Sequence, residues 1–258
     1  MFAASNGCSS ALLLEVNCVL FAVIGDIHGN LEALQAVLAD LDEQGVDQVL
    51  CVGDVVGYGA DPEGCLELVL ERCSVVVSGN HDCAVTGQSS LDYFNPYARR
   101  ALQWTSEQLS PASEQSLTDF PLTAQMNGFA LVHSSFFAPE RFDYIFAPSQ
   151  ARVSFLKQEV PLAFFGHTHL PVAFFDTNPI TYSLGPEISV DPETKVLINV
   201  GSVGQPRDED ARAGYVIYDS ERRLVTIRRV TYEIERAARK ITDAGLPEVL
   251  AERLFLGR

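Results

Sequence analysis

Apolar, β-branched runs along this chain stop repeatedly at short polar clusters. Residues 19–24 (VLFAVI) break into Gly25-Asp26-Ile27-His28-Gly29, and beyond them Leu31, Leu34, Val37, Leu38 and Leu41 recur at helical spacing up to Gly45. A buried strand followed by an amphipathic helix is one half of a βα unit. Residues 48–52 form a second such run, ending in Gly53-Asp54, and Asp61-Pro62-Glu63 starts a second helix, with Asp as cap and Pro in the first turn. Leu66, Val69 and Leu70 supply its buried face. A third run, 74–77, leads into Ser78-Gly79-Asn80-His81-Asp82. This β-α-β-α-β order predicts the α/β class with a mainly parallel sheet.

Residues 89–119 differ in character. They are polar and helical, with one helix over 96–109 and another opened by Ser110-Pro111, and they read as a helical insert beside the sheet. Runs 122–126 and 129–132, separated by Asn127-Gly128, predict a hairpin whose second strand delivers His133. A helix over 150–159 precedes a strand over 162–165 that delivers Gly166-His167-Thr168-His169. Strands are expected at 172–175, 196–200, 214–218 and 225–230, and terminal helices at 233–244 and 247–256. The β-rich second half predicts a second sheet packed on the first.

With 258 residues and 47% apolar composition, the chain can bury a sizeable core as one domain over 19–258. The first strand needs nothing before Val19, so 1–18 is expected to be a dispensable extension. Its apolar patch follows no basic residue and is interrupted by Glu15, which does not fit a signal peptide. The sequence has no membrane-spanning stretch. Six cysteines without a CxxC pair suit free thiols in a reducing cytoplasm, with Cys83, beside a candidate site, the one open to oxidation. The formal net charge of −16 repels phosphate polymers, so extended nucleic-acid binding is not expected. A small anionic substrate would need local positive charge, which bound cations supply.

The chain has five histidines: His28, His81, His133, His167 and His169. A single histidine is ordinarily a satisfied core group. All five lie at or just past predicted strand ends, near Gly, Asp or Asn, where open α/β sheets place their ligands. Histidine with carboxylates is the ligand set for Zn, Mn, Fe or Ni, and the lack of thiolates speaks against a structural zinc site. Two cations ~4 Å apart need a shared carboxylate. Asp54, ending the middle early strand, is the candidate bridge. Asn80 offers a neutral amide oxygen, Asp26 and His28 serve one ion, and His167 and His169 reach different ions from alternate sides of an extended stretch.

The ordered series GDIHGN (25–30), GDVVGYG (53–59), GNHD (79–82), LVHSS (131–135), GHTHLP (166–171) and INVGSVGQPRD (198–208) resembles the calcineurin-like metallophosphoesterase superfamily, in particular its compact bacterial and archaeal members. The resemblance implies a four-layer αββα double β-sandwich with the helical insert near 89–119. It implies two divalent metal ions, Mn2+ or Fe2+ with Ni2+ or Zn2+ allowed. Asp26, His28, Asp54 and His169 would hold the first ion, and Asp54, Asn80, His133 and His167 the second. His81 resembles the family's non-ligand histidine beside the phosphate. The expected reaction is attack on phosphorus by a hydroxide between the ions, with His81 serving the leaving group and Asp82 orienting its imidazole. The substrate is expected to be a small phosphomonoester or phosphodiester. Alternatives are a nucleotide hydrolase for dinucleoside polyphosphates or cyclic nucleotides, a nuclease, or a non-catalytic protein on the same fold. The arginines of the protein phosphatases' GDxxDRG and RGNHE stretches are missing here, which speaks against classical protein phosphatase activity. Arg207 is the remaining phosphate contact, or else a surface arginine paired with Asp208 or Asp210. Tyr58 either lines the pocket or serves its turn.

Overall fold

A computed structural model describes residues 19–126 and 128–258; the expected extension 1–18 and the turn residue Asn127 lie outside the described residues. Strand β1 (Leu20–Ile24) leads into α1 (Leu31–Gln44). Asn30 caps this helix by accepting the Ala33 N–H at 3.1 Å, and Gly45 closes it in the left-handed region at φ 66°. Strand β2 (Gln48–Cys51) and helix α2 (Pro62–Arg72) repeat the unit. Asp61 holds the cap position of α2 but makes no capping bond. Its carboxylate accepts Lys240 Nζ at 2.8 Å instead.

Strand β3 (Cys73–Val76) runs almost directly into α3 (Asn80–Val85), a short helix that the apolar spacing does not predict. The insert holds α4 (Pro96–Gln108) and α5 (Pro111–Thr118), each opened by proline after a capping Asn95 or Ser110. Strands β4 (Thr123–Gln125) and β5 (Phe129–Val132) pair antiparallel, Thr123 opposite Val132. Helix α6 (Pro148–Phe155) is shorter than the expected 150–159 segment at its far end. Strands β6 (Leu162–Phe165) and β7 (Val172–Phe175) follow. Two three-residue strands, β8 (Thr181–Ser183) and β9 (Glu187–Ser189), escape sequence reading because neither carries an apolar run. The chain then forms β10 (Val196–Asn199), β11 (Ala213–Asp219), β12 (Leu224–Val230), α7 (Ile234–Asp243) and α8 (Glu248–Leu256).

The strands make two six-stranded sheets, ordered β3-β2-β1-β11-β12-β9 and β4-β5-β6-β10-β7-β8. Both are mixed. β1, β2 and β3 are parallel while β11 runs antiparallel to β1, and β5, β6 and β10 are parallel while β7 runs antiparallel to β10. Between the sheets lies an apolar layer that includes Val23, Leu50 and Val77 from one side and Phe129, Leu131, Phe164 and Ile198 from the other. Helix α1 covers the outer face of the first sheet through Leu34, Val37 and Leu41, and α6 covers the second through Ala151 and Phe155. These are the four layers that the family resemblance implies, helices outside two stacked sheets.

The terminal helices α7 and α8 pack Ala237, Ile241, Leu250 and Leu254 against Tyr58 and against Ala98 and Ala101 of the insert. Charge reinforces this seat. Lys240 Nζ lies 2.6 Å from Glu32 Oε1 as well as 2.8 Å from Asp61, and Arg236 lies 3.1 Å from Glu32. Among the described residues no helix is long and apolar enough to cross a membrane. Cys51, Cys65, Cys73 and Cys83 are free thiols, and burial raises the Cys83 pKa, away from the reactive thiolate.

Candidate metal centre

The loops that leave β1, β2, β3, β5 and β6 converge, and each brings a candidate ligand. Five of these residues adopt left-handed backbone: Asp26 (φ 49°), His28 (51°), Asp54 (53°), His167 (67°) and His169 (61°). That conformation is strained for residues with a Cβ and persists only when neighbours over-determine it. Here they do. Asp26 N–H donates to Gly53 O at 2.9 Å, Ile27 N–H to Asp54 O at 2.8 Å, and Gly204 N–H to Asp26 O at 2.9 Å. Ser202 Oγ donates to the same Asp26 carbonyl at 2.8 Å. The glycines of GHTH and GNHD have a steric reason. A Cβ at Gly166 would run into Asp26 Oδ2, and one at Gly79 into Asp54 Oδ1.

Hydrogen bonds set how the imidazoles face. His133 Nδ1 meets Val52 O at 2.7 Å, His169 Nδ1 meets Gln205 O at 2.6 Å, and His28 Nδ1 meets Val56 O at 3.2 Å. A carbonyl can only accept, so in the neutral rings Nδ1 carries the proton and Nε2 presents its lone pair inward. His28 Nε2 and His169 Nε2 then lie 3.2 Å apart, as do His133 Nε2 and His167 Nδ1. Asp26 Oδ1 is 3.3 Å from His169 Nε2. Asp54 Oδ2 is 3.6 Å from His28 Nε2 and 3.3 Å from His133 Nε2, so one carboxylate oxygen touches both groups. Asn80 Oδ1 lies 3.1 Å from His133 Nε2. Three sets, Asp26-His28-His169, His28-Asp54-His81 and Asp54-His133-His167, each bring their ligand atoms within 4.8 Å of one another.

Electrostatics make this arrangement costly by itself. Burial drives His28, His167 and His169 well below the usual imidazole range and so keeps them neutral. Burial pushes Asp26 up to about 8. Burial also lowers His133, but Asp54 beside it more than offsets that and raises it to about 9. The facing lone pairs of His28 and His169 and the buried carboxylates, walled from water, are what a divalent cation compensates. The all-nitrogen-and-oxygen donor set fits such an ion.

His81 is buried, with its ring 4.6 Å from that of His28, 4.5 Å from Tyr58 and 5.1 Å from Phe94. Burial lowers its pKa to about 4, and Nδ1 has no hydrogen-bond partner among the described residues. The expected pairing of Asp82 with this ring does not form. The Asp82 carboxylate accepts the backbone N–H groups of Asp54 (2.8 Å), Val55 (2.9 Å), Val56 (3.3 Å) and Gly79 (3.0 Å). It anchors the loop after β2 onto the start of α3, with no oxygen left over for imidazole.

Arg207 does not make the surface ion pairs considered for it. Asp208 pairs with Arg229, and Asp210 with Arg212 at 2.7 Å. The Arg207 guanidinium lies 5.9 Å from the centre of the Tyr58 ring and donates to Gln205 Oε1 at 2.9 Å, while its buried Nε has no partner. Sequence reasoning missed Gln205, whose backbone orients His169. It also missed Asn199, which donates to Thr168 Oγ1 at 3.0 Å inside the GHTH loop. A buried asparagine ending an apolar run was the available signal for the second. Tyr144, stacked on His167 at 4.0 Å, left no signal at all.

The profile of the calcineurin-like phosphoesterase superfamily domain matches residues 19–223. The chain belongs to the calcineurin-like phosphoesterase superfamily. An uncharacterized protein of Methanocaldococcus jannaschii is 42% identical over 243 residues, which are 93% of this chain and 98% of that one. A metallophosphoesterase from Sphaerobacter thermophilus superposes with a TM-score of 0.85 at 38% identity, covering 94% of this chain and 100% of that one. A hypothetical protein from Pyrococcus horikoshii, at 20% identity and a TM-score of 0.74 over 93% of this chain and 99% of that one, shares the fold. Superfamily membership implies phosphoester hydrolysis, and with the clustered His and Asp groups it supports dependence on divalent metal.

Proposed function

We propose that the protein is a dinuclear metallophosphoesterase acting on a small phosphomonoester or phosphodiester. The observation that carries this is Asp54, whose Oδ2 lies within 3.6 Å of one ligand group and 3.3 Å of the other, as a shared carboxylate must. Asp26, His28 and His169 hold one ion with Asp54, and Asn80, His133 and His167 hold the other. When bound, two divalent cations, Mn2+ or Fe2+ by preference with Ni2+ or Zn2+ admissible, lower the pKa of water and offset charge on the phosphoryl oxygens. The carbonyls of Val52, Val56 and Gln205 keep three imidazoles turned for this purpose. His81 stays neutral at pH 7 and hydrogen-bonds the phosphoryl or leaving oxygen. Arg207, which no carboxylate among the described residues pairs with, takes a phosphate oxygen from the Tyr58 side. The acidic net charge of −16 favours a small substrate over a nucleic-acid polymer.

The test is a panel of phosphate monoesters and diesters, given to metal-stripped protein with each metal returned in turn. Hydrolysis that appears with metal and vanishes with chelator is the expected result. A protein that takes up fewer than two ions, or hydrolyses no ester with any metal, would overturn the reading.

A further inference from the structure

The loop after β10 is sewn onto the loop after β1. Val203 N–H donates to Gly25 O at 3.0 Å, and Asn30 Nδ2 donates to Gly204 O at 2.9 Å. A Cβ at Gly204 would run into Ile27 O, so the two backbones touch. The next residue, Gln205, is buried, and both of its backbone groups are committed. Its N–H donates to Ser202 Oγ at 2.9 Å, and its carbonyl faces His169 Nδ1 at 2.6 Å. The side chain orients no candidate ligand. Its Oε1 accepts Arg207 Nη2 at 2.9 Å, past the intervening Pro206.

That partner is neutral, which sets Arg207 apart from Arg141, Arg212 and Arg228, each within 3.4 Å of a carboxylate. The acids that follow it in sequence, Asp208 and Asp210, are taken by Arg229 and Arg212. Arg253 of α8 brings like charge rather than a counter-ion: burial first, and Arg207 second, lower its pKa. The Arg207 guanidinium lies 5.9 Å from the centre of the Tyr58 ring, which is itself 4.7 Å from the His28 ring and 4.5 Å from the His81 ring. Its buried Nε has no partner among the described residues, so a donor is left over. A glutamate at 205 would hold the guanidinium equally well but would neutralise it. An amide oxygen fixes its direction and leaves its charge for an anion.

We propose that Gln205 is a positioning residue for the phosphate: its side-chain carbonyl holds Arg207 beside Tyr58 with the charge intact, and so sets how tightly the phosphoryl group binds. The inference rests on the metallophosphoesterase reading and on Arg207 as its phosphate contact. It gives one residue two duties, the backbone serving a metal ligand and the side chain serving the substrate.

The test uses metal-loaded protein and inorganic phosphate, with affinity read by calorimetry and metal content by elemental analysis. Arg207→Ala and Gln205→Met should each weaken phosphate binding about tenfold, the scale of a charge-assisted hydrogen bond. Gln205→Glu, which keeps the shape of the side chain, should weaken it as well by pairing with Arg207. Gln205→Met should add nothing in protein that already carries Arg207→Ala. Metal content should stay at the wild-type level throughout, because the backbone carbonyl that faces His169 remains. In hydrolysis, the Gln205 variants should raise KM more than they lower kcat. An equal loss from Gln205→Met with and without Arg207, or a fall in kcat with KM unchanged, overturns the inference and leaves Gln205 a structural role. Wild-type phosphate affinity in Arg207→Ala overturns it too, while the metal site stands. If Gln205→Met does not fold, Gln205→Glu decides: weaker phosphate binding with metal retained supports the inference, and unchanged binding overturns it. If the wild-type protein, shown to contain metal, binds no phosphate, the metallophosphoesterase reading itself fails and this inference with it.

Discussion

The floor of the site and the walls of its cleft are built on opposite terms. On the floor every candidate ligand except Asn80 is at most 5% exposed, and strained backbone there is held from several sides at once. Along the cleft beside His81 and His167, Tyr93 is 87% exposed and Tyr144 45% exposed. Groups that meet reacting atoms are pre-positioned and costly to disturb. Exposed side chains along the cleft are cheaper to change. The contrast teaches that the buried floor and the exposed cleft wall tolerate change differently.

The contrast breaks if the floor proves tolerant. Asp54→Asn removes the charge shared by both ligand groups, and activity should fall well beyond the ~100-fold that outer-shell changes cost, with loss of bound metal by elemental analysis. His81→Ala should lower turnover by ~10²-fold with metal content unchanged, because no ligand is removed. Asp82→Ala leaves four N–H donors without their acceptor. It should cost about 3 kcal/mol or more, read as a lower thermal midpoint. An Asp82→Ala protein of normal stability that lost only His81-dependent activity would restore the orienting role.

Titration sharpens the same contrast. In metal-free protein, burial raises Asp26 from its ordinary 3.8 to about 8. Folded protein then binds a proton that the unfolded chain releases, so this contribution to stability is full below pH 4 and is lost as pH rises through 8. The metal-free thermal midpoint should therefore decline over that interval, and Asp26→Asn should flatten the decline. At the cleft, Tyr93→Ala should shift stability by no more than about 0.5 kcal/mol, since its ring covers nothing.

The floor was legible because its chemistry sits in short local words. Asp26 with His28, Asn80 with His81, and His167 with His169 each leave one strand together, and five histidines at strand ends exceed coincidence. Partners were legible only as far as side chains name them. Asp82 bonds to backbone amides presented by a loop of left-handed turns, and no residue letter in that loop announces the acceptor it needs. The cleft was illegible for a related reason. Tyr93 and Tyr144 belong to an insert and a connecting segment without periodicity, and only the tertiary fold brings both to the lining of one cavity. Strands β8 and β9 were too short and polar to register.

Helices α7 and α8 lie beyond residue 223, where the superfamily match ends, yet they hold Tyr58 from behind and lock Lys240 between Glu32 and Asp61. The ligand loops are thus backed by two helices that lie outside the matched stretch. Removing the two helices alone, after β12, would leave the first sheet its strands but take away the backing of the aromatic ring beside Arg207.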